Sequence, residues 1–236
     1  EAGDVNGDGF ADVYVGAYGF SLSKGRAYLY YGGSNMNNAV DIFMTGEETL
    51  NYFGYSVSGG GDVNGDGYSD MIAGAYGYNS NIGRAYVYTN TMMGEDIPDV
   101  TMTGAATGQY FGISVSSAGD VNGDGYDDVI AGALPYQNLT GRAYIFFGGE
   151  IMNNVADVTL TGTSANQYFG ESVSSAGDVN GDGYDDVIVG EPEYFNSPSP
   201  GNAYIFFGGV AMNNISDVTL TGEAVNDYFG RSVSSA

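Results

Sequence analysis

Four short apolar or alternating segments recur along the chain, each five to eight residues long and bounded by Gly, Asn or Asp. In one copy they read FGISVSS (111–117), DVIAGA (128–133), AYIFFGG (143–149) and DVTLTG (157–162). Their β-branched and aromatic content and short length predict strands, and no stretch sustains a helical period. The set repeats: Asp4, Asp62, Asp120 and Asp178 are 58 residues apart, and Phe53, Phe111, Phe169 and Phe229 follow at 58, 58 and 60. The two extra residues fall in the Pro-rich stretch EYFNSPSPGNAY (193–204).

Four antiparallel strands in a unit of this length predict an all-β protein, a β-propeller with one blade per repeat. A parallel β-solenoid, the main rival, uses shorter coils. The units run approximately 1–52, 53–110, 111–168 and 169–228 in a single domain, 1–236, with a closing strand at 229–236. The first unit lacks its first strand, and YFGRSVSSA (228–236) supplies that strand alone. An open sheet edge invites aggregation, so the C-terminal strand is expected to complete the N-terminal blade. Closure within one chain gives four blades, exchange between two chains gives eight, and open exchange gives a filament; all three fit.

Composition narrows the partners. The chain has 29 acidic residues against 5 basic ones, a net charge of -24, and no His, Cys or Trp. That charge opposes nucleic acid and anionic membranes and favours divalent cations or basic partners. Without His or Cys there are no thiol nucleophiles, none of the usual zinc ligands and no imidazole base, so no enzyme is expected. Absent disulfides leave the compartment open, because calcium can do the stapling. No apolar run approaches the ~18 residues of a membrane span, and no signal-peptide pattern opens the chain.

Between the first and second segments of each unit lies an acidic loop: DVNGDGFAD (4–12), DVNGDGYSD (62–70) and DVNGDGYDD (120–128 and 178–186). Calcium takes six to eight oxygen ligands in flexible geometry, and a tight loop can supply them from alternate positions. Positions 1, 3 and 5 offer side-chain oxygens, position 7 a backbone carbonyl and position 9 a last carboxylate. The expected sets are Asp4, Asn6, Asp8, Phe10 and Asp12; Asp62, Asn64, Asp66, Tyr68 and Asp70; Asp120, Asn122, Asp124, Tyr126 and Asp128; Asp178, Asn180, Asp182, Tyr184 and Asp186. The Glu that closes an EF-hand at position 12 is absent. Val15, Ala73, Ala131 and Val189 stand there, because a strand rather than a helix follows. Position 8 varies (Ala11, Ser69, Asp127, Asp185) and is expected to face solvent. A plain Asx-rich turn needs one or two such residues; three carboxylates within nine residues repel one another without a cation. About four structural Ca²⁺, one per repeat, are expected.

The FG of YFGxSVSS, the loop DxNxDGxxD and a strand ending AGAxxY resemble FG-GAP repeats, with Gly132-Ala133-Leu134-Pro135 nearest to the "GAP" part. The resemblance covers essentially the whole chain. It implies a calcium-bearing propeller like the N-terminal propeller of integrin α subunits, used for binding or adhesion outside the cell or at its surface. Integrin propellers carry seven such repeats; this chain has four, each with its loop.

The loops between the second and third strands do not repeat: AYGFSLSKG, AYGYNSNIG, ALPYQNLTG and EPEYFNSPSPG. Their aromatic and polar residues suit a protein or carbohydrate ligand. NLT (138–140) and NIS (214–216) fit the glycosylation sequon. GRAY recurs with Arg26, Arg84 and Arg142 and becomes GNAY at 201–204; each Arg is expected to pair with a carboxylate of its own or the next blade, or to stack on Tyr. The Tyr-Phe-Gly clusters are expected to pack between blades. The alternative function is a structural subunit assembling by end-strand exchange.

Overall fold

The computed structural model describes residues 2–89, 96–134, 140–163, 167–192 and 199–235. Fifteen strands form four antiparallel sheets in chain order. The first contains β1 (Val13–Ala17), β2 (Arg26–Tyr30) and β3 (Ile42–Thr45). The second contains β4 (Val57–Gly61), β5 (Asp70–Ala75), β6 (Arg84–Tyr88) and β7 (Val100–Thr103). The third contains β8 (Ser114–Gly119), β9 (Asp128–Ala133), β10 (Arg142–Phe146) and β11 (Val158–Thr161); the fourth contains β12 (Ser172–Gly177), β13 (Asp186–Glu191), β14 (Asn202–Phe206) and β15 (Val218–Thr221). Every pairing is between sequence neighbours, so each sheet is a meander. Two one-turn segments, α1 (Phe20–Ser23) and α2 (Tyr78–Asn81), sit between the second and third strands of the first two units.

The sheets stack face on face with apolar side chains between them. Leu29 and Met44 of the first sheet meet Met71 and Ala73 of the second. Ile72, Val87 and Met102 of the second meet Val129, Ala131 and Phe146 of the third. Ile130, Ile145 and Leu160 of the third meet Val187, Val189 and Phe206 of the fourth. Each fully buried large side chain contributes about 1.5–3 kcal/mol. Phe53, Phe111 and Phe169 of the FG pairs are buried and pack against the next strand pair's rings; Phe111, for example, meets Tyr144 and Phe146 at 5.5 and 6.1 Å.

Glycine is needed at one recurring approach. A Cβ on Gly132 would lie 2.0 Å from the Gly170 carbonyl oxygen, so the Gly of the AGA strand and the Gly of the next FG pair are a backbone-to-backbone contact between successive units. Before each acidic loop the inner strand bulges, with Gly61, Gly119 and Gly177 at φ of +74°, +73° and +70°.

The first sheet has three strands. Gly3 bridges Asp12 as Gly61 pairs with Asp70, but β1 has no inner neighbour among the described residues. Residues 229–235 form no strand. Instead Gly230 lies against Gly190, and its carbonyl accepts a hydrogen bond from Ser172 Oγ (2.8 Å), as Gly170 accepts one from Ser114 Oγ (2.8 Å). The C-terminal segment thus caps the fourth sheet as each later unit caps the one before it.

Because the strands alternate in direction, the acidic hairpins and the turns between third and fourth strands share one rim. The second-to-third and fourth-to-first connections share the other.

Candidate metal centres and the opposite rim

Each acidic loop is wound on its own carboxylates. In the third, Asp120 Oδ1 accepts from the amides of Gly123 and Asp124 (2.7 and 3.1 Å) and Oδ2 from Gly125 (2.9 Å). Asn122 Oδ1 accepts from the Asp124 amide (2.8 Å), its Nδ2 donates to Asp124 Oδ2 (2.9 Å), and the Tyr126 amide donates to Asp124 Oδ1 (3.1 Å). Gly123 and Gly125, at φ of +77° and +92°, allow the tight turn. The same bonds recur at Asp4, Asn6 and Asp8, at Asp62, Asn64 and Asp66, and at Asp178, Asn180 and Asp182. Phe10, Tyr68 and Tyr184 stand in the place of Tyr126.

The position-9 residues Asp12, Asp70, Asp128 and Asp186 are buried. Asp128 Oδ2 accepts from the Val121 amide (2.9 Å) and Oδ1 from Gly148 (2.8 Å), so it ties the loop to the turn after the third strand. Asp12 and Asp186 bridge the equivalent amides, Val5 with Gly32 and Val179 with Gly208, and Asp70 accepts from Val63. Burial pushes the Asp128 carboxyl up to about 7; the Gly148 and Val121 amides act against this, and the charges of Asp124 and Asp120 add to it. Asp186 is raised for the same leading reason. Exposed Asp178 is lowered, first by the Gly183 amide.

Among the described residues no three His, Cys, Asp or Glu side chains are gathered in a metal-holding arrangement, because the carboxylates turn to backbone amides. The donor chemistry nonetheless fits a hard divalent cation: each loop offers only oxygens, from three carboxylates, one amide and the carbonyls of a tight turn. A cation there would relieve the repulsion that Asp120 and Asp124 impose on Asp128. The residues that would hold it are those of positions 1, 3, 5, 7 and 9.

Position 8 faces solvent, as expected, at Ala11, but Ser69, Asp127 and Asp185 are partly buried against the preceding loop. Asp127 Oδ2 accepts from the Asp62 amide (2.7 Å), and the Asp127 amide donates to the Asp62 carbonyl (3.1 Å). Asp185 does the same to Asp120 (2.9 and 3.2 Å), and the Ser69 amide donates to the Asp4 carbonyl (3.1 Å). The position-7 ring also reaches back: a Cβ on Gly65 would meet Tyr126 Cε1 at 2.6 Å, and one on Gly123 would meet Tyr184 Cε1 at 2.4 Å. The loops are therefore linked in series, each gripping its predecessor. The only sequence signal was the polar character of position 8 in the units that have a predecessor.

On the opposite rim, Ser21–Ser23 and Asn79–Asn81 are left-handed, with φ of +45° to +63°. The connection that leads from the fourth strand into the next unit holds them: the Tyr52 amide donates to the Ser23 carbonyl (2.9 Å) and the Tyr110 amide to the Asn81 carbonyl (2.8 Å). Tyr18, Tyr52, Tyr55 and Tyr76 form a contiguous set of rings; Tyr52 and Tyr76 stack at 4.9 Å. Residues 135–139 and 193–198 of the third and fourth variable loops, including Asn138 of the first sequon, lie outside the described residues.

FG-GAP repeats match residues 1–34, 53–88, 111–146 and 169–206, more than half of the chain and one match per sheet. The chain belongs to the FG-GAP repeat family. Among curated relatives, integrin alpha-5 of Xenopus laevis is 33% identical over 207 residues, covering 80% of this chain and 19% of the relative. Integrin alpha-V of Gallus gallus is 32% identical over 203 residues, again 80% and 19%. Integrin alpha-PS5 of Drosophila melanogaster is 31% identical over 182 residues, 72% and 18%. The FG-GAP chain thus spans about a fifth of the length of these relatives. Membership of this family agrees with the expectation of no enzyme. No helix among the described residues is long and apolar enough to cross a membrane.

Proposed function

We propose that residues 1–236 form one calcium-stabilised propeller unit that serves protein recognition or adhesion outside the cell or at its surface. The observation that carries this reading is the division of labour between the rims. One rim holds four near-identical acidic loops bonded to one another; the other holds the loops that differ between units. Repetition suits a scaffold, and variation suits a ligand. Membership of a family whose relatives include integrin α subunits supports the same reading.

Calcium here acts on stability. A cation that binds only the folded state adds about 2.7 kcal/mol per site at a hundredfold excess over Kd. Four ions would also bring the net charge from -24 to about -16 and reduce self-repulsion. Elemental analysis after dialysis in calcium is expected to find about four ions per chain, and EDTA to lower Tm by tens of degrees. An unchanged melt in EDTA would sink the calcium reading.

A second reading concerns assembly. Val13 and Val15 on β1 and Phe229 near the C-terminus are exposed, whereas their counterparts in the other units are buried. Residues 229–236 would cover β1 if they paired with it, within the chain or between copies, and would bring Phe229 against Tyr28 and Tyr30. Mass in solution separates the outcomes: a monomer supports closure within the chain, and a dimer or polymer supports exchange.

A further inference from the structure

The third strand of each unit opens with Arg or Asn and carries Tyr two residues later, at the variable rim. In the second sheet this pair is satisfied from within. Arg84 Nη1 pairs with Glu47 of the preceding unit, its guanidinium lies 3.6 Å from the Tyr78 ring centroid, and Nε donates to Thr103 Oγ1 (3.1 Å). The Tyr86 hydroxyl donates to the same Glu47 Oε1 (2.8 Å). In the first sheet Arg26 lies between the rings of Phe20 and Phe43, at 3.9 and 4.2 Å. In the fourth, Asn202 replaces Arg, and the Tyr204 hydroxyl still donates to a carboxylate, that of Glu191.

The third sheet keeps both donors and loses the acceptor. Ala105 stands where the preceding unit has Glu47, and Ala133 stands where the fourth has Glu191. Arg142 is exposed. Among the described residues it has no carboxylate or ring partner, and its recorded contact is a long 3.5 Å from Nη1 to the Tyr144 hydroxyl. A cavity of about 270 Å³ opens beside it, lined by Ala105, Ala106, Thr107, Gln109 and Thr140. Gln109 is fixed by its own loop: Oε1 accepts from the amides of Ala105 and Ala106 (2.9 and 3.3 Å), so Nε2 donates to the Tyr144 hydroxyl oxygen. That oxygen accepts the Gln109 hydrogen, which leaves its own hydrogen to donate outward.

We propose that this cavity receives a carboxylate of a protein partner, an Asp or Glu side chain, held by Arg142 and Tyr144 as Glu47 is held by Arg84 and Tyr86. The acceptor class follows from the two neighbouring units, where the same tyrosine hydroxyl takes a carboxylate. In a chain of net charge -24, a cation with no carboxylate partner among the described residues also selects an acidic group on an otherwise repelling surface. The loss of Glu47 by replacement with Ala leaves room as well as charge. This site gives the recognition reading its ligand chemistry and rests on that reading only so far. It lies at the rim opposite the acidic loops and does not depend on their metal.

The test is an NMR titration in saturating calcium with N-acetyl-glutamate methylamide, which carries one free carboxylate. Saturable shifts are expected at the Arg142 Nε–H and at the amides of Ala105 and Ala106. Arg142→Gln should weaken binding about tenfold or more, the size of one charge-assisted pair. Ala105→Glu should fill the cavity from inside, shift the Arg142 signal without probe and abolish the response to it. Melting of each variant in calcium checks the fold, and an unaltered Tm separates failure of this site from failure of the metal-stabilised scaffold. Equal shifts with the glutamine analogue, equal binding by Arg142→Gln, no saturation, or tighter binding of inorganic phosphate would each overturn the proposal.

Discussion

The first and third sheets are built from nearly the same sequence and differ in what surrounds them. Val129 and Ala131 on β9 are 0% exposed, while Val13 and Val15, at the same places on β1, are 40% and 45% exposed. The third sheet has a fourth strand and a sheet on each face. Among the described residues the first has three strands and a neighbour on one face only. The strand pattern therefore sets which residues can be buried, and the stacking of units sets which ones are. A unit of this kind is not an independent folding body, since it cannot bury both faces alone.

The phenylalanines test that difference most strongly. Phe111→Ala removes a ring 2% exposed between two sheets and should cost about 3–5 kcal/mol, read as a lower denaturation midpoint at unchanged slope. Phe229, 38% exposed, should cost under about 1 kcal/mol on the same change if the C-terminal segment stays on the fourth sheet. A loss at Phe229 equal to that at Phe111 would show the segment seated against Tyr28 and Tyr30 in solution.

The buried carboxylates give the next effect. Asp128→Ala strands the amides of Val121 and Gly148 and should cost about 2–4 kcal/mol even in EDTA. Asp12→Ala breaks the matching bonds to Val5 and Gly32, but in a sheet that can open by itself. Hydrogen exchange should then rise across β1–β3 alone, whereas Asp128→Ala should raise it in the second and third sheets together. Equal spread for both variants would contradict the comparison.

The smallest effect belongs to position 8. Asp127→Ala loses the bond to the Asp62 amide, about 1 kcal/mol, and Ala11, which has no described predecessor loop to grip, should tolerate change to Ser within about 0.5 kcal/mol. Chemical denaturation in calcium measures both.

The spacing of Asp4, Asp62, Asp120 and Asp178 was enough to read the repeat and the four-strand unit, because each unit restates the same local rules. What it hid was contact between units. Asp127 looked free because position 8 varies, and it varies because its role is to reach another loop. Arg142 looked like Arg84, since GRAY is the same motif in both; the difference lies 37 residues upstream, in Glu47 against Ala105. The left-handed turns at Ser21–Ser23 and Asn79–Asn81 contain no glycine, the usual signal for such backbone, and are held instead by the connection into the next unit, at Tyr52 and Tyr110.

The backward grip of each acidic loop on the one before it gives the molecule a grammar for changing length. Each unit after the first carries the reaching half, at positions 7 and 8, and each unit before the last carries the receiving half, at its Asp backbone and Gly. A duplication or deletion of one whole 58-residue unit leaves every remaining joint intact, whereas a cut at any other point breaks one. Descendants of such a chain can differ in copy number while sharing a single kind of joint.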